Sequence, residues 1–190
     1  MGKVIRLYWW SEIFIQKKLQ ENYGDLLGKY VVEKISRKKV SWVRAPKFNA
    51  CNYLHPLYVT IGSVLAHINV YCIVWGSGIN HKEESIARGT FLAVRGPLSR
   101  KRRLELGYEC PAIYGDPALL LPRYFDPEIH KEYRLGIIPH INDLELVKEL
   151  YKDHSSIQII DFNTNDIEMT TKQILACEHI LSSSLHGLIV

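Results

Sequence analysis

Short runs of β-branched and aromatic residues alternate along this chain with stretches whose apolar positions recur at helical spacing. Val4–Trp9, Val40–Val43, Val70–Trp75, Phe91–Val94 and Ala112–Tyr114 read as strands, and Arg134–Ile138, Ile157–Asp161 and Glu178–Leu181 repeat the scheme. Between them, Leu26–Arg37 carries Leu26, Leu27, Tyr30, Val31 and Ile35 at helical intervals, and Leu144–Lys152 and Ile167–Cys177 show similar stripes. Arg95-Gly96-Pro97 ends a strand and sets proline at a helix start; Leu98–Leu106 follows and Gly107 closes it. This alternation predicts parallel βαβ units, hence an α/β chain of two Rossmann-like lobes. The first is expected over residues 1–122 and the second over 134–190. The aperiodic, proline-bracketed stretch 123–133 would link them. After Gly187 only Leu188-Ile189-Val190 remain, too few to close a helical turn, so the second lobe is expected to be truncated at its C-terminus.

Composition narrows the class. A chain of 190 residues with 47% hydrophobic content can bury a real core, and 23% charged residues is ordinary for a globular protein. The net charge of +4 suits small anions or a membrane surface but calls for no nucleic acid. No apolar run approaches the roughly 18 to 20 residues that span a bilayer. Leu7-Tyr8-Trp9-Trp10 is broken at once by Ser11-Glu12, so it makes no signal-peptide core. The aromatic cluster could stack on a sugar ring, with core burial at a strand end as the plainer reading. Cys51, Cys72, Cys110 and Cys177 are scattered and read as buried thiols of a reducing cytoplasm. His55, His67, His81, His130 and His154 lack metal-ligand spacing; they read as surface or turn residues, and no metal site is expected.

The chemistry gathers at strand ends. Ser182-Ser183-Ser184-Leu185-His186-Gly187 follows the apolar run His179-Ile180-Leu181, which is how an α/β protein carries a titratable group to a cleft. Asn22-Tyr23-Gly24-Asp25 opens a helix, either as a capped loop or as an anion site at its free N–H groups. Gly76-Ser77-Gly78 follows an apolar strand: a groove floor or simply a tight turn, without the third glycine of a dinucleotide fingerprint. Arg95 ends another strand, and its planar fork suits a carboxylate or phosphate in a crevice between the lobes. Arg100-Lys101-Arg102-Arg103 lies inside a helix and reads as a solvated face. Asp116, in Gly115-Asp116-Pro117, could orient a hydroxyl or an arginine but is first of all turn chemistry. His140 ends Ile137-Ile138-Pro139, as a site residue or a structural one.

The order of these pieces, from Tyr8 to the end, resembles the polysaccharide pyruvyl transferase family: Asn-x-Gly-Asp-x-Leu, Gly-Ser-Gly, Val-Arg-Gly-Pro-Leu-Ser, Tyr-Gly-Asp-Pro-Ala, Ile-Pro-His and Ser-x-x-Leu-His-Gly. The resemblance implies a two-lobed, glycosyltransferase-B-like fold. It also implies transfer of the enolpyruvyl unit of phosphoenolpyruvate onto a glycan or lipid-linked saccharide, usually as a cyclic ketal, with phosphate released. By the same resemblance His186 is the general acid and Arg95 grips the donor. His140 and Gly76, Ser77 and Gly78 line the cleft, while Asn22, Gly24 and Asp25 stand on the facing lobe. Ser184 takes the place where many relatives carry an arginine, so a charge-assisted contact worth roughly 1.5 to 3 kcal/mol is absent there. No cofactor is implied beyond phosphoenolpyruvate as co-substrate. The location implied is cytoplasmic, with peripheral contact at the inner face of the membrane if the acceptor is lipid-linked. The rival readings are a nucleotide-sugar glycosyltransferase on the same architecture and a non-catalytic sugar- or anion-binding fragment.

Overall fold

The computed structural model describes residues 4–45, 47 and 55–190; Cys51 lies outside them. In chain order the elements are β1 (Ile5–Tyr8), α1 (Glu12–Gln16), β2 (Glu21–Asn22), α2 (Tyr23–Ser36), β3 (Val40–Trp42), β4 (Leu57–Val59), β5 (Cys72–Trp75), β6 (Thr90–Ala93) and α3 (Pro97–Glu105). There follow β7 (Tyr133–Ile138), α4 (Leu144–Tyr151), β8 (Ile157–Ile159), β9 (Asn163–Thr164), α5 (Ile167–Leu175) and β10 (Cys177–Ser182). The chain divides into two compact units, Met1–Trp10 with Leu27–Leu120, and Ser11–Leu26 with Leu121–Val190.

The first unit is built on a parallel sheet of order β3-β1-β4-β5-β6, a Rossmann-like arrangement. Strands covered on both faces must be apolar throughout, and Leu7, Tyr8, Leu57, Val59, Cys72 and Val74 are fully buried. Leu27 and Val31 of α2 are equally buried, as the helical spacing predicts. The central strand β4 is not foreseen by the sequence reading, because three residues after a proline offer too little period to read. The expected strand Ala112–Tyr114 reduces to a single bridge between Tyr114 and Val94. The Tyr8-Trp9-Trp10 cluster is core: Tyr8 and Trp9 are buried, and the Tyr8 hydroxyl bonds His67 Nδ1 at 2.7 Å. His67 is therefore a half-buried core partner rather than a surface residue, and burial lowers its pKa.

The second unit holds a parallel sheet of order β10-β7-β8 and the small antiparallel pair β2–β9. The sequence reading divides the chain once, at 123–133, whereas the packing also assigns Ser11–Leu26 here. The cause is long-range hydrogen bonding invisible in local patterns. Asn22 pairs with Asn163, Glu21 N–H donates to Asn165 Oδ1 at 3.1 Å, and Asn165 Nδ2 donates to the Leu19 carbonyl at 3.1 Å. Ser11 caps the unforeseen α1 by accepting from Phe14 N–H, and Asp166 caps α5 by accepting from Met169 N–H. Lys131, within the stretch 123–133, donates to the carbonyls of Leu175 and Cys177 and so joins that stretch to this unit.

Candidate active site

In the first unit, the ends of β4, β5 and β6 meet. Gly76, at φ +87°, turns the chain tightly over Pro117, where a side chain would collide. Ser77 is fully buried; its hydroxyl donates to the Gly62 carbonyl at 2.8 Å, and Gly78 N–H donates to the same oxygen at 3.0 Å. Arg95 N–H closes the arrangement onto the Ser77 carbonyl at 3.1 Å. The Arg95 guanidinium then lies flat on Gly78, where a Cβ would stand 2.7 Å from Cζ, Nε and Nη2. Its Nη2 donates to Ser63 Oγ at 3.0 Å and to the Ile79 carbonyl at 3.1 Å, while Nη1 is buried with no hydrogen bond among the described residues. One arm of the fork is anchored and the other is unused. Burial pulls the Arg95 pKa down, and the carboxylates of Asp116 and Glu84 push it back up. The side chain lines a cavity of about 560 Å³ shared with Lys82, Gly96, Ser99 and Arg102. The amino end of α3, with Pro97 in its first turn and no side-chain cap, opens there too. Asp116 is buried and accepts from Ala118 N–H at 3.0 Å, the turn chemistry expected of Asp-Pro.

In the second unit, β10 delivers the Ser182–Gly187 segment. The Ser182 hydroxyl bonds the Ile138 and Ser184 carbonyls and accepts from Ser184 N–H, folding the chain back so that His186 is 8% exposed. The first turn of α2 packs on its ring: a Cβ at Gly24 would overlap Nδ1, lie 2.6 Å from Cγ and 3.0 Å from Cβ. Asn22 Oδ1 holds that turn by accepting from Gly24 N–H at 2.9 Å. Part of Asp25 remains accessible, but its carboxyl is enclosed by protein and burial pushes it up to about 7. His186 pulls that value down, while Glu12 and Glu21 add to the rise. Asn22, Gly24 and Asp25 thus share a compact unit with His186 instead of standing on a facing lobe. A second, smaller cavity of about 30 Å³ gathers Asn22, His140, Asp161, Asn163 and Ser184. His140 is exposed, and its N–H donates to Ser183 Oγ at 2.8 Å.

The sequence profile described as polysaccharide pyruvyl transferase matches residues 22–190. The chain belongs to the polysaccharide pyruvyl transferase family. An uncharacterized protein of Acanthamoeba polyphaga mimivirus is 31% identical over 194 residues, covering 94% of this chain. The chain spans 63% of that curated relative's length. No solved structure matches it.

The range matched to the pyruvyl transferase family runs from Asn22 through His186 and so contains both groups of residues described above. Two features of the site escape the sequence reading. Gly62 and Ser63 supply the carbonyl and hydroxyl that hold the Gly76-Ser77-Gly78 turn and Arg95. Their signal is a Gly-Ser pair after the run Leu57-Tyr58-Val59-Thr60-Ile61, the same signature that marks Gly76-Ser77. The basic run needs correcting. Arg103 is 4% exposed, stacked 3.6 Å from the Phe91 ring, with Arg100 and Arg102 bonded to carbonyls of Cys110, Glu83 and Glu84. A helix side chain long enough to reach a neighbouring loop satisfies carbonyls there, so only Lys101 behaves as solvated. Among the described residues no helix is long and apolar enough to cross a membrane, and no three metal-ligating side chains gather.

Proposed function

We propose that this protein transfers the pyruvyl unit of phosphoenolpyruvate to a sugar of a cell-surface polysaccharide or its lipid-linked precursor. The observation that carries the reading is the arrangement around Arg95, a guanidinium anchored through one arm with the other unspent, beside an uncapped helix start. Phosphoenolpyruvate is a small polyanion, and such a group binds one carboxylate or phosphate edge with fixed geometry.

His186 then serves as the acid. As its N–H bond breaks, the electron pair of the donor's C2=C3 bond forms the new C3–H bond. C2 accepts the oxygen of a sugar hydroxyl, whose proton passes to solvent. A second hydroxyl attacks C2, the C2–O bond to phosphate breaks, and inorganic phosphate leaves with that hydroxyl's proton. General acid catalysis of this kind contributes roughly 10²- to 10⁴-fold. Asn22, His140 and Ser184 present hydrogen-bonding groups around one small cavity, with room for a single acceptor hydroxyl. The reaction is assigned to the cytoplasmic side, at the membrane face where the acceptor is lipid-linked.

The test is acceptor-dependent phosphate release from phosphoenolpyruvate, with a panel of glycosides and the full-length protein. The reading expects release that His186→Ala abolishes. Absence of release with every acceptor, or full activity in that variant, would overturn it.

A further inference from the structure

We propose that Lys82 holds the phosphate of the donor while Arg95 holds its carboxylate. This lysine then sets the preference for a phosphorylated enol acid over an unphosphorylated 2-oxo acid. The inference rests on the reading of Arg95 as the donor contact and adds the second charge that such a donor requires.

The charges around the Arg95 cavity single out Lys82. Among the described residues, Lys82, Arg95, Lys101 and Arg102 are the permanent cations that line it, and Glu105 is its one carboxylate. Two of these cations are engaged. Arg102 donates to the Glu84 and Glu83 carbonyls at 2.7 and 3.0 Å and lies 3.6 Å from Glu105. Lys101 stands 4.0 Å from the same carboxylate. The ring of His81 is occupied by Asn80, whose Nδ2 donates to Nε2 at 3.2 Å. Lys82 is exposed and makes no ion pair among the described residues. Its ammonium and Nη1 of Arg95 are the charges left for a ligand.

The turn that carries Lys82 is fastened to Arg95 itself. Arg95 Nη2 donates to the Ile79 carbonyl at 3.1 Å, and Ile79 N–H donates to the buried Ser99 Oγ at 3.3 Å. Beyond it, Glu84 Oε1 accepts from the N–H groups of Asn80 and His81 at 3.1 and 3.2 Å. Glu84 N–H closes the turn onto the His81 carbonyl at 3.3 Å, and Arg102 holds Glu83 and Glu84 from α3. A lysine on a turn tied down on both sides meets its ligand with little loop entropy left to lose.

Chemistry divides the two cations between the two anions. An anchored guanidinium presents N–H groups in one plane, matched to the flat edge of a carboxylate. An ammonium is a compact point charge that meets a phosphate oxygen without demanding a plane. Phosphoenolpyruvate carries both groups on C2, whereas pyruvate carries the carboxylate alone. Removing Lys82 therefore removes the phosphate contact selectively.

The experiment is calorimetric titration of the full-length protein with phosphoenolpyruvate and with inorganic phosphate, and with pyruvate as a competing probe. It compares wild type, Lys82→Met and Lys82→Arg. In Lys82→Met the affinities for phosphoenolpyruvate and phosphate are expected to fall about tenfold or more. Pyruvate affinity stays within about twofold, and Lys82→Arg retains most of the binding. Under turnover KM for phosphoenolpyruvate rises by the same factor, with kcat within about twofold. Lys38→Met, an equal loss of charge at an exposed lysine before β3, leaves these constants unmoved. Wild type that binds no phosphate, unchanged phosphate affinity in Lys82→Met, or an equal fall in pyruvate affinity overturns the proposal. Phosphate binding needs neither acceptor nor turnover. Phosphate held through Lys82 by a protein that releases none from phosphoenolpyruvate would support this assignment and overturn the transferase reading. Acceptor-dependent release with an unmoved KM in Lys82→Met would do the reverse.

Discussion

The guanidinium of Arg95 lies where the side chain of any residue but glycine at position 78 would have to stand, 2.7 Å from an added Cβ. The far end of an arginine can normally swing away, but here Ser63 and the Ile79 carbonyl tether it. Gly78→Ala therefore trades those two bonds for a displaced cation. Its expected effect is a loss of phosphoenolpyruvate affinity of about tenfold, near 1.4 kcal/mol, with little change in melting temperature. Calorimetric titration alongside thermal melts checks it; unaltered affinity would show that the guanidinium does not meet the donor.

Gly24→Ala acts on the other group. The added methyl would press on Cγ and Cβ of a buried ring, not on a loose side-chain tip. Overpacking of this kind costs about 1 to 3 kcal/mol of stability, and a misplaced acid costs on the order of 100-fold in rate. Phosphate release measured on protein shown by circular dichroism to be folded should fall chiefly in kcat. A change in KM alone would argue against His186 as the acid.

Asp25 also writes a pH dependence into stability. Unfolded, it loses its proton near 3.8; folded, near 7. Between those values the folded chain binds the extra proton, so the contribution of Asp25 is fully present below about 4 and is lost as pH rises toward 7. A rise of about 3 pH units at about 1.4 kcal/mol each sets an upper limit of roughly 4 kcal/mol. Urea unfolding at intervals from pH 4 to 7.5 should show wild type losing stability relative to Asp25→Asn across that window. Parallel curves for the two proteins would contradict this.

What the sequence discloses of this molecule follows the range of the forces involved. The helices of α2, α3, α4 and α5 and most parallel strands are legible because burial of one face or two leaves a period in nearby residues. The turns bearing Arg95 and His186 are legible because glycine and serine at strand ends announce them. The pairing of β2 with β9 is not, since Glu21 and Asn165 meet across 144 residues with nothing local to mark it. That pairing brings Gly24 to His186, a grouping that the local pattern around either residue does not announce. Ser63 escapes for the same reason, as its role exists only once β4 lies beside β5.

The arginine run shows how far charge alone misleads, and it supplies a last prediction. In Arg103, Nε donates to the Glu109 carbonyl at 2.9 Å, Nη1 to Ala87 at 3.1 Å and Nη2 to Gly89 at 3.3 Å, over the face of Phe91. Arg103→Met keeps the volume but leaves three carbonyls without their donor, each worth about 1 kcal/mol or more when buried. The expected loss is about 3 kcal/mol, read as a lower urea midpoint. Arg103→Lys should recover little, because one ammonium cannot span three carbonyls or stack flat on the ring. Lys101→Ala, two residues away on the exposed side of the helix and 4.0 Å from Glu105, should change stability by less than about 0.5 kcal/mol. If Arg103 were instead a solvated cation, Arg103→Met would leave the urea midpoint unchanged, as Lys101→Ala does, so comparing the two variants in one unfolding series decides whether this arginine is scaffold.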